Sequence, residues 1–156
     1  MRRDTKENIL MVILGITFFL NIIIMNLFPP TIEKLVIVGY IILGIGALFF
    51  ILSVFTLRKK GTSHVVDSGI YGIVRHPMYL GAMVMFFSHI FFGQNWIVVI
   101  STVIAIMCCY LIIKLGDQRN IEKFGEEYKI YMQKVPRMNF FAGIIRLIIY
   151  RKSEEK

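Results

Sequence analysis

The sequence predicts an all-α polytopic membrane protein. About four transmembrane helices are expected, with a cytoplasmic amphipathic helix and an interfacial C-terminal helix. Three observations carry this. Hydrophobic residues make up 56% of the chain and the mean hydropathy is +0.68, above the roughly 45–50% apolar content of ordinary soluble domains. The excess is gathered in long runs without charge, a membrane pattern rather than that of a soluble core. The basic residues sit where those runs end, at the level of lipid headgroups.

The first run extends from about Asn8 to Phe28, broken only by Thr17, Asn21 and Asn26. At 1.5 Å per residue it spans about 31 Å, the thickness of a hydrocarbon core. Pro29-Pro30 ends it, because proline lacks the N–H of the next helical hydrogen bond. It is too long for a signal h-region and no small-residue cleavage site follows, so it is expected to remain as a span. A second run, about Ile32 to Leu57, ends at Arg58-Lys59-Lys60. Its glycines, Gly39, Gly44 and Gly46, read as a close-packing face, since no strand precedes them as in a nucleotide loop. Gly61 to Pro77 is a long polar loop, and long loops are often functional. A third run, Met78 to Phe92, is short for a span, and Gly93-Gln94-Asn95 turns it into a fourth, Trp96 to Leu115. Gln118 to Lys134 then reads as one amphipathic helix, with Ile121, Phe124, Tyr128 and Tyr131 spaced by threes and fours. Phe140 to Tyr150 is apolar apart from Arg146 and too short to cross; it is expected to lie in the interface.

The whole chain is expected to form a single membrane domain. Within it, residues 1–60 make a helical hairpin, 61–137 a core containing spans three and four, and 138–156 an interfacial tail. Of 18 Lys and Arg, only Lys34 falls on the side of the Pro29 and Asn95 turns. By the positive-inside rule the opposite side, with both termini and the 58–77 loop, is cytoplasmic, which predicts an integral protein of the cell membrane. The net charge of +8 therefore answers anionic lipid rather than nucleic acid. No metal-ligand spacing occurs. Cys108 and Cys109 are helix neighbours that point apart and read as small hydrophobes. His89 lies within the third span, where ionisable groups are often functional, but its place near the outer end beside Ser88 favours a structural role.

Polar chemistry is concentrated at the cytoplasmic ends of spans three and four. Arg75, His76 and Tyr79 precede or open the third helix, and Pro77 fits its first turn. Arg75 supplies a planar fork of donors for a carboxylate or phosphate, and His76 can donate, accept or carry a proton near neutrality. Taken singly, these are also the residues that snorkel at a membrane face. Their order is more specific. Gly69-x-Tyr71-x-x-x-Arg75-His76-Pro77-x-Tyr79-x-Gly81 resembles the signature of the isoprenylcysteine carboxyl methyltransferases and the related phospholipid methyltransferases. Phe124-Gly125-Glu126-Glu127-Tyr128-Lys129-Ile130-Tyr131, followed by Val135-Pro136-Arg137, is similar to a second block of that family. Val65-Val66-Asp67-Ser68-Gly69 is similar to a strip that precedes the first. The resemblance covers about residues 62–137.

The resemblance implies an integral membrane enzyme that uses S-adenosylmethionine, held in a cytoplasmic pocket, and a lipophilic prenyl- or phospholipid-like acceptor that enters from the bilayer. It places Val65, Val66, Gly69 and Tyr71 along the cofactor, and Arg75, His76 and Tyr79 at its amino-acid end or the reacting centre. His64 is a further candidate cofactor contact. The family carries adjacent glutamates eight and seven residues before the phenylalanine of the second block; here these are Gly116 and Asp117. One carboxylate remains, so Asp117 joins Arg75 and His76 as a candidate catalytic residue and as a cofactor contact. A proline usual soon after the arginine of the second block is replaced by Met138-Asn139-Phe140. Two other functions fit the same scaffold: a non-catalytic membrane protein with a degenerate pocket, and a nicotinamide-dependent reductase of the sterol type, whose relatives are much longer.

Overall fold

The computed structural model describes residues 5–61 and 63–154. It contains six α-helices: α1 (Thr5–Leu27), α2 (Glu33–Lys60), α3 (Pro77–Gly93), α4 (Trp96–Phe124), α5 (Glu126–Lys134) and α6 (Phe140–Glu154). A single 3₁₀ turn, Gly69–Gly72, interrupts the loop between α2 and α3. No strand occurs among the described residues.

Helices α1, α2 and α4 are long and apolar enough to cross a membrane. The third predicted span, α3, has 17 residues and reaches about 26 Å at the helical rise. It falls short of a full span by length alone, yet it packs between α2 and α4 and completes their layer. Helix α4 packs on its other side against α1.

Glycine lets α2 and α3 approach backbone to backbone. A Cβ on Gly81 would stand 2.7 Å from the Gly46 carbonyl oxygen and 2.8 Å from the Phe50 nitrogen. A Cβ on Gly39 would stand 2.8 Å from the Phe92 ring, whereas Gly44 faces open space. The glycine face anticipated on α2 is thus built from Gly39 and Gly46, with Gly44 outside it.

Polar side chains within the helix layer pair with one another. The Asn21 amide donates to His89 Nδ1 at 3.1 Å and to Thr102 Oγ1 at 3.4 Å, joining α1, α3 and α4. His89 thereby takes part in a polar link between three helices. At the end opposite the long loop, Gln94 adopts a left-handed conformation (φ 43°) that closes α3. Its amide oxygen accepts from Ile32 N–H and its amide nitrogen donates to Ile32 C=O, each at 2.8 Å. The two short turns are thereby fastened together.

The expected amphipathic helix over 118–134 is divided. Helix α4 continues without a break past its apolar part to Phe124, and α5 begins anew after Gly125, whose φ of +58° no helix accommodates. The apolar positions 121, 124, 128 and 131 nonetheless form one cluster, with Val65 and Val135. Helix α6 runs to Glu154, beyond the predicted Tyr150. Its Phe140 ring rests on Phe49 at 5.1 Å, and Phe141, Ile145 and Ile148 point outward.

Candidate functional site

The long loop, the start of α3, the end of α4 and α5 converge on the side away from the Gln94 clasp. Each is fixed by a specific contact. Val65 N–H donates to Glu127 Oε1 at 3.3 Å, Tyr131 OH donates to the Tyr71 carbonyl at 2.6 Å, and Arg75 N–H donates to the Pro136 carbonyl at 3.0 Å. The chain around Gly69 takes φ +62° against Thr56 of α2. Glycine meets the need for positive φ there.

Asp117 is the electrostatic centre. Its Oδ1 accepts from His76 Nε2 and from Tyr128 OH, both at 2.7 Å, and its Oδ2 accepts from Arg137 Nε at 2.9 Å. Arg75 Nη1 lies 3.5 Å from Oδ1. Burial alone would raise this carboxyl's pKa; the hydrogen bonds from His76 and Tyr128 and the charges of His76 and Arg75 outweigh it and hold the pKa down to about 2. The carboxylate is therefore ionised and His76 Nε2 carries the hydrogen it donates; in a neutral ring Nδ1 would be the acceptor. Burial pushes the Tyr71 phenol up to about 12, helped by Tyr79. Burial likewise pushes Tyr128 and Tyr131 well above the usual phenol range, so all three stay protonated donors.

A cavity of about 300 Å³ opens beside this centre, at the lower end of the range for small-molecule sites. His64, Val65, Val66, Tyr71, Arg75, His76 and Tyr79 all line it. Seven of the sequence-predicted residues are thus brought together from a loop and a helix start. Gly69 and Asp117 do not reach the lining. Gly69 shapes the loop behind it, and Asp117 stands behind His76 with its acceptors engaged by three hydrogen-bond donors. Gly116 does line the cavity, and the His76 ring passes 3.7 Å from where its Cβ would be.

Arg75 is unusual in its surroundings. Its side chain is 7% exposed, and Nε and Nη1 make no hydrogen bond. Buried guanidinium donors without partners are costly. Arg75 also lines the cavity, so an anionic group entering it would meet a largely buried guanidinium already set beside Asp117.

Sequence reasoning did not single out several contributors. Arg119, Asn120 and Lys123 follow Gly116 at helical spacing and line the same cavity; their spacing was a readable signal once α4 was known to continue. Glu127 of the second block accepts a hydrogen bond from the Val65 N–H. Arg119 is held by Glu7 of α1, which is 2% exposed, a contact between residues 112 apart in sequence that no local pattern announces.

No curated protein and no solved structure shows significant similarity to the chain. One protein-family model does, that described as phospholipid methyltransferase, over residues 32–126. The match runs from the start of α2 to the first residue of α5. It includes the loop, the Arg75-His76 start of α3 and Asp117, and leaves out α1 and Arg137. Covering more than half of the chain, it agrees with the motif order and the membrane helices, and the chain belongs to the phospholipid methyltransferase family, whose members are membrane methyltransferases.

Proposed function

We propose that this chain transfers a methyl group from S-adenosylmethionine to the polar head of a lipid embedded in the bilayer, at the cytoplasmic membrane face. The supporting observation is the cavity itself. It joins the predicted cofactor residues to the buried Arg75, where a membrane helix begins. On this reading residues 61–137 are the cofactor-binding core, 1–60 a supporting hairpin and 138–156 an interfacial tail.

The lining fits the cofactor in two respects. The Arg75 fork is suited to a carboxylate, and Val65 and Val66 offer an apolar wall beside the Tyr71 and Tyr79 rings. Among the described residues no acidic side chain lines the cavity, so an ammonium group there would be met by neutral oxygens such as that of Asn120. S-adenosylmethionine supplies a methyl group on a sulfonium, whose positive charge disperses during transfer.

The chain's own residues contribute position, dryness and proton handling. The α5 cluster and the loop exclude water from one wall, which favours in-line positioning over solvation of the reactants. Asp117 acts through His76, fixing its ring orientation and tautomer. Asp117 also anchors Arg137, and these two with Arg75 form a group of one negative and two positive charges. If the acceptor is a carboxylate, no base is required and Arg75 orients it. If it is an amine, His76 Nδ1 is the group available to take the proton.

Calorimetry with S-adenosylhomocysteine, and a labelled methyl donor supplied with total membrane lipid, test this directly. Micromolar binding, about −7 to −8 kcal/mol, and label in the lipid phase are expected. Binding of NADPH instead would support a reductase. Binding of neither ligand, or label only in water-soluble products, would overturn the proposal.

A further inference from the structure

A second cavity lies on the other face of α4, between that helix and α1. It measures about 450 Å³ and is lined by Lys6, Ile9, Leu10, Leu111, Lys114, Leu115 and Gln118. None of these residues touches the first cavity. The two helices run antiparallel here, so the lining is graded along the membrane normal. Lys6 and Gln118 lie at the outermost level. Ile9, Leu10 and Leu111 lie about 5–10 Å deeper at the helical rise, and the Lys114 backbone, about 6 Å below Gln118, is level with Leu10. Ammonium groups at and beside the outer part of an apolar trough are the complement of an anionic headgroup above an acyl chain.

Among the described residues, the groove's lining holds two lysines and no acidic side chain. The carboxylate nearest in sequence, Glu7, is buried in its ion pair with Arg119. That pair also clamps α1 to α4 at this level, so the groove has fixed walls. Lys114 Nζ lies 5.3 Å from the centre of the Tyr110 ring. Glu122 follows Gln118 by one turn and lies beyond the lining, on the water side.

We infer that this groove is a binding site for one anionic phospholipid, its phosphate between Lys6 and Lys114 and one acyl chain along Ile9, Leu10 and Leu111. The site is separate from the proposed catalytic cavity and does not depend on that reading. Its attraction is electrostatic at the headgroup, where each nearby cation favours anionic over zwitterionic lipid. The apolar trough then fixes the position of the chain.

The experiment uses the full chain in detergent, titrated with phosphatidylglycerol or with phosphatidylcholine of the same acyl chains, and read by native mass spectrometry and by melting temperature. Retention of one phosphatidylglycerol, with a higher melting temperature than phosphatidylcholine gives, is expected. The double variant Lys6→Gln/Lys114→Gln should lose at least tenfold in phosphatidylglycerol affinity and leave phosphatidylcholine unaffected. Lys59→Gln/Lys60→Gln, which removes the same charge from the end of α2, should bind as the native chain does. Ile9→Trp, filling the trough with both lysines in place, should also abolish retention. Equal loss in the two lysine pairs would mean diffuse attraction and overturn the site. Unchanged retention in Ile9→Trp would overturn it too, as would displacement of the lipid by millimolar inorganic phosphate, which would show a free-anion site.

Discussion

At the scale of single residues, Asp117 governs the site without lining it. Its folded-state pKa, held down from 3.8 to about 2, is a stability statement as well as a local one. A depressed carboxyl pKa contributes its full stabilisation above the unfolded value. That contribution is lost as pH falls through the folded value, so the window is about pH 4 down to pH 2. The shift corresponds to about 2 kcal/mol at about 1.4 kcal/mol per unit. Asp117→Asn keeps an acceptor for His76 and Tyr128 but removes the charge that faces Arg75 and Arg137. It should melt lower than the native chain at pH 7, and the gap should close between pH 4 and pH 2; a gap constant with pH would show that the charge is not the cause. Arg75 tests the other side of the same cluster. Arg75→Lys retains the positive charge and loses the fork, so methyl transfer should fall at least tenfold while the fold persists. Equal activity in this variant would remove Arg75 from the recognition of an anionic group. The identity of both residues was legible in the sequence through the motif, whereas the burial of Asp117 behind His76 was not. A carboxylate seven residues before Phe124 reads the same whether it faces a cavity or a ring of donors.

At the scale of elements, the legible features were those set by composition, and the missed ones were set by a single backbone angle or a long-range contact. Runs without charge located α1 and α2 to within a few residues, because an apolar run beside a proline or a basic triplet leaves little choice of boundary; for α4 they located the start at Trp96 but not the end, which lies at Phe124, beyond the predicted Leu115. The division at Gly125 was missed because the apolar spacing continues across it; the periodicity records a shared core and is silent about the left-handed residue between the two helices. The glycines of α2 show the same limit. Gly39, Gly44 and Gly46 are alike in sequence and only two of them meet α3. The difference is measurable. A Cβ at position 46 would stand 2.8 Å from the Gly81 carbonyl oxygen, and at position 44 it would meet nothing within 4 Å. Gly46→Ala should destabilise the protein by about 1–3 kcal/mol, the usual cost of overpacking. Gly44→Ala should be neutral or slightly stabilising, since alanine is the better helix former. Thermal melting of the two variants in one detergent decides this, and equal losses would refute the close crossing of α2 and α3.

At the scale of the whole molecule, two independent fastenings define the sides of the membrane layer. The Gln94–Ile32 clasp joins the two short turns at one face. The Glu7–Arg119 pair and the Asp117 cluster join α1, α3, α4 and the long loop at the other. The sequence anticipated this division from charge alone, because a lysine or arginine can enter the hydrocarbon layer only at high cost and so marks the ends of spans. The pairing across 112 residues was out of reach, since no local rule relates Glu7 to Arg119. The positive-inside rule makes the cavity side the expected cytoplasmic one: among the described residues Arg58, Lys59 and Lys60 lie on that side and Lys34 on the far side. The short helix α3 does not disturb this assignment, for it begins at the Arg75-His76 face and ends at the Gln94 clasp like a full span. Single cysteines test the orientation. The native Cys108 and Cys109 are buried within α4 and should resist a membrane-impermeant maleimide, so they can stay in place. Thr31→Cys, in the turn after α1, should be labelled on intact cells. Lys59→Cys, at the end of α2, should be labelled only after the membrane is opened. Labelling of Lys59→Cys on intact cells, with Thr31→Cys protected, would reverse the orientation and place the proposed active site on the outer face, away from the cytoplasmic supply of S-adenosylmethionine that the proposed reaction requires.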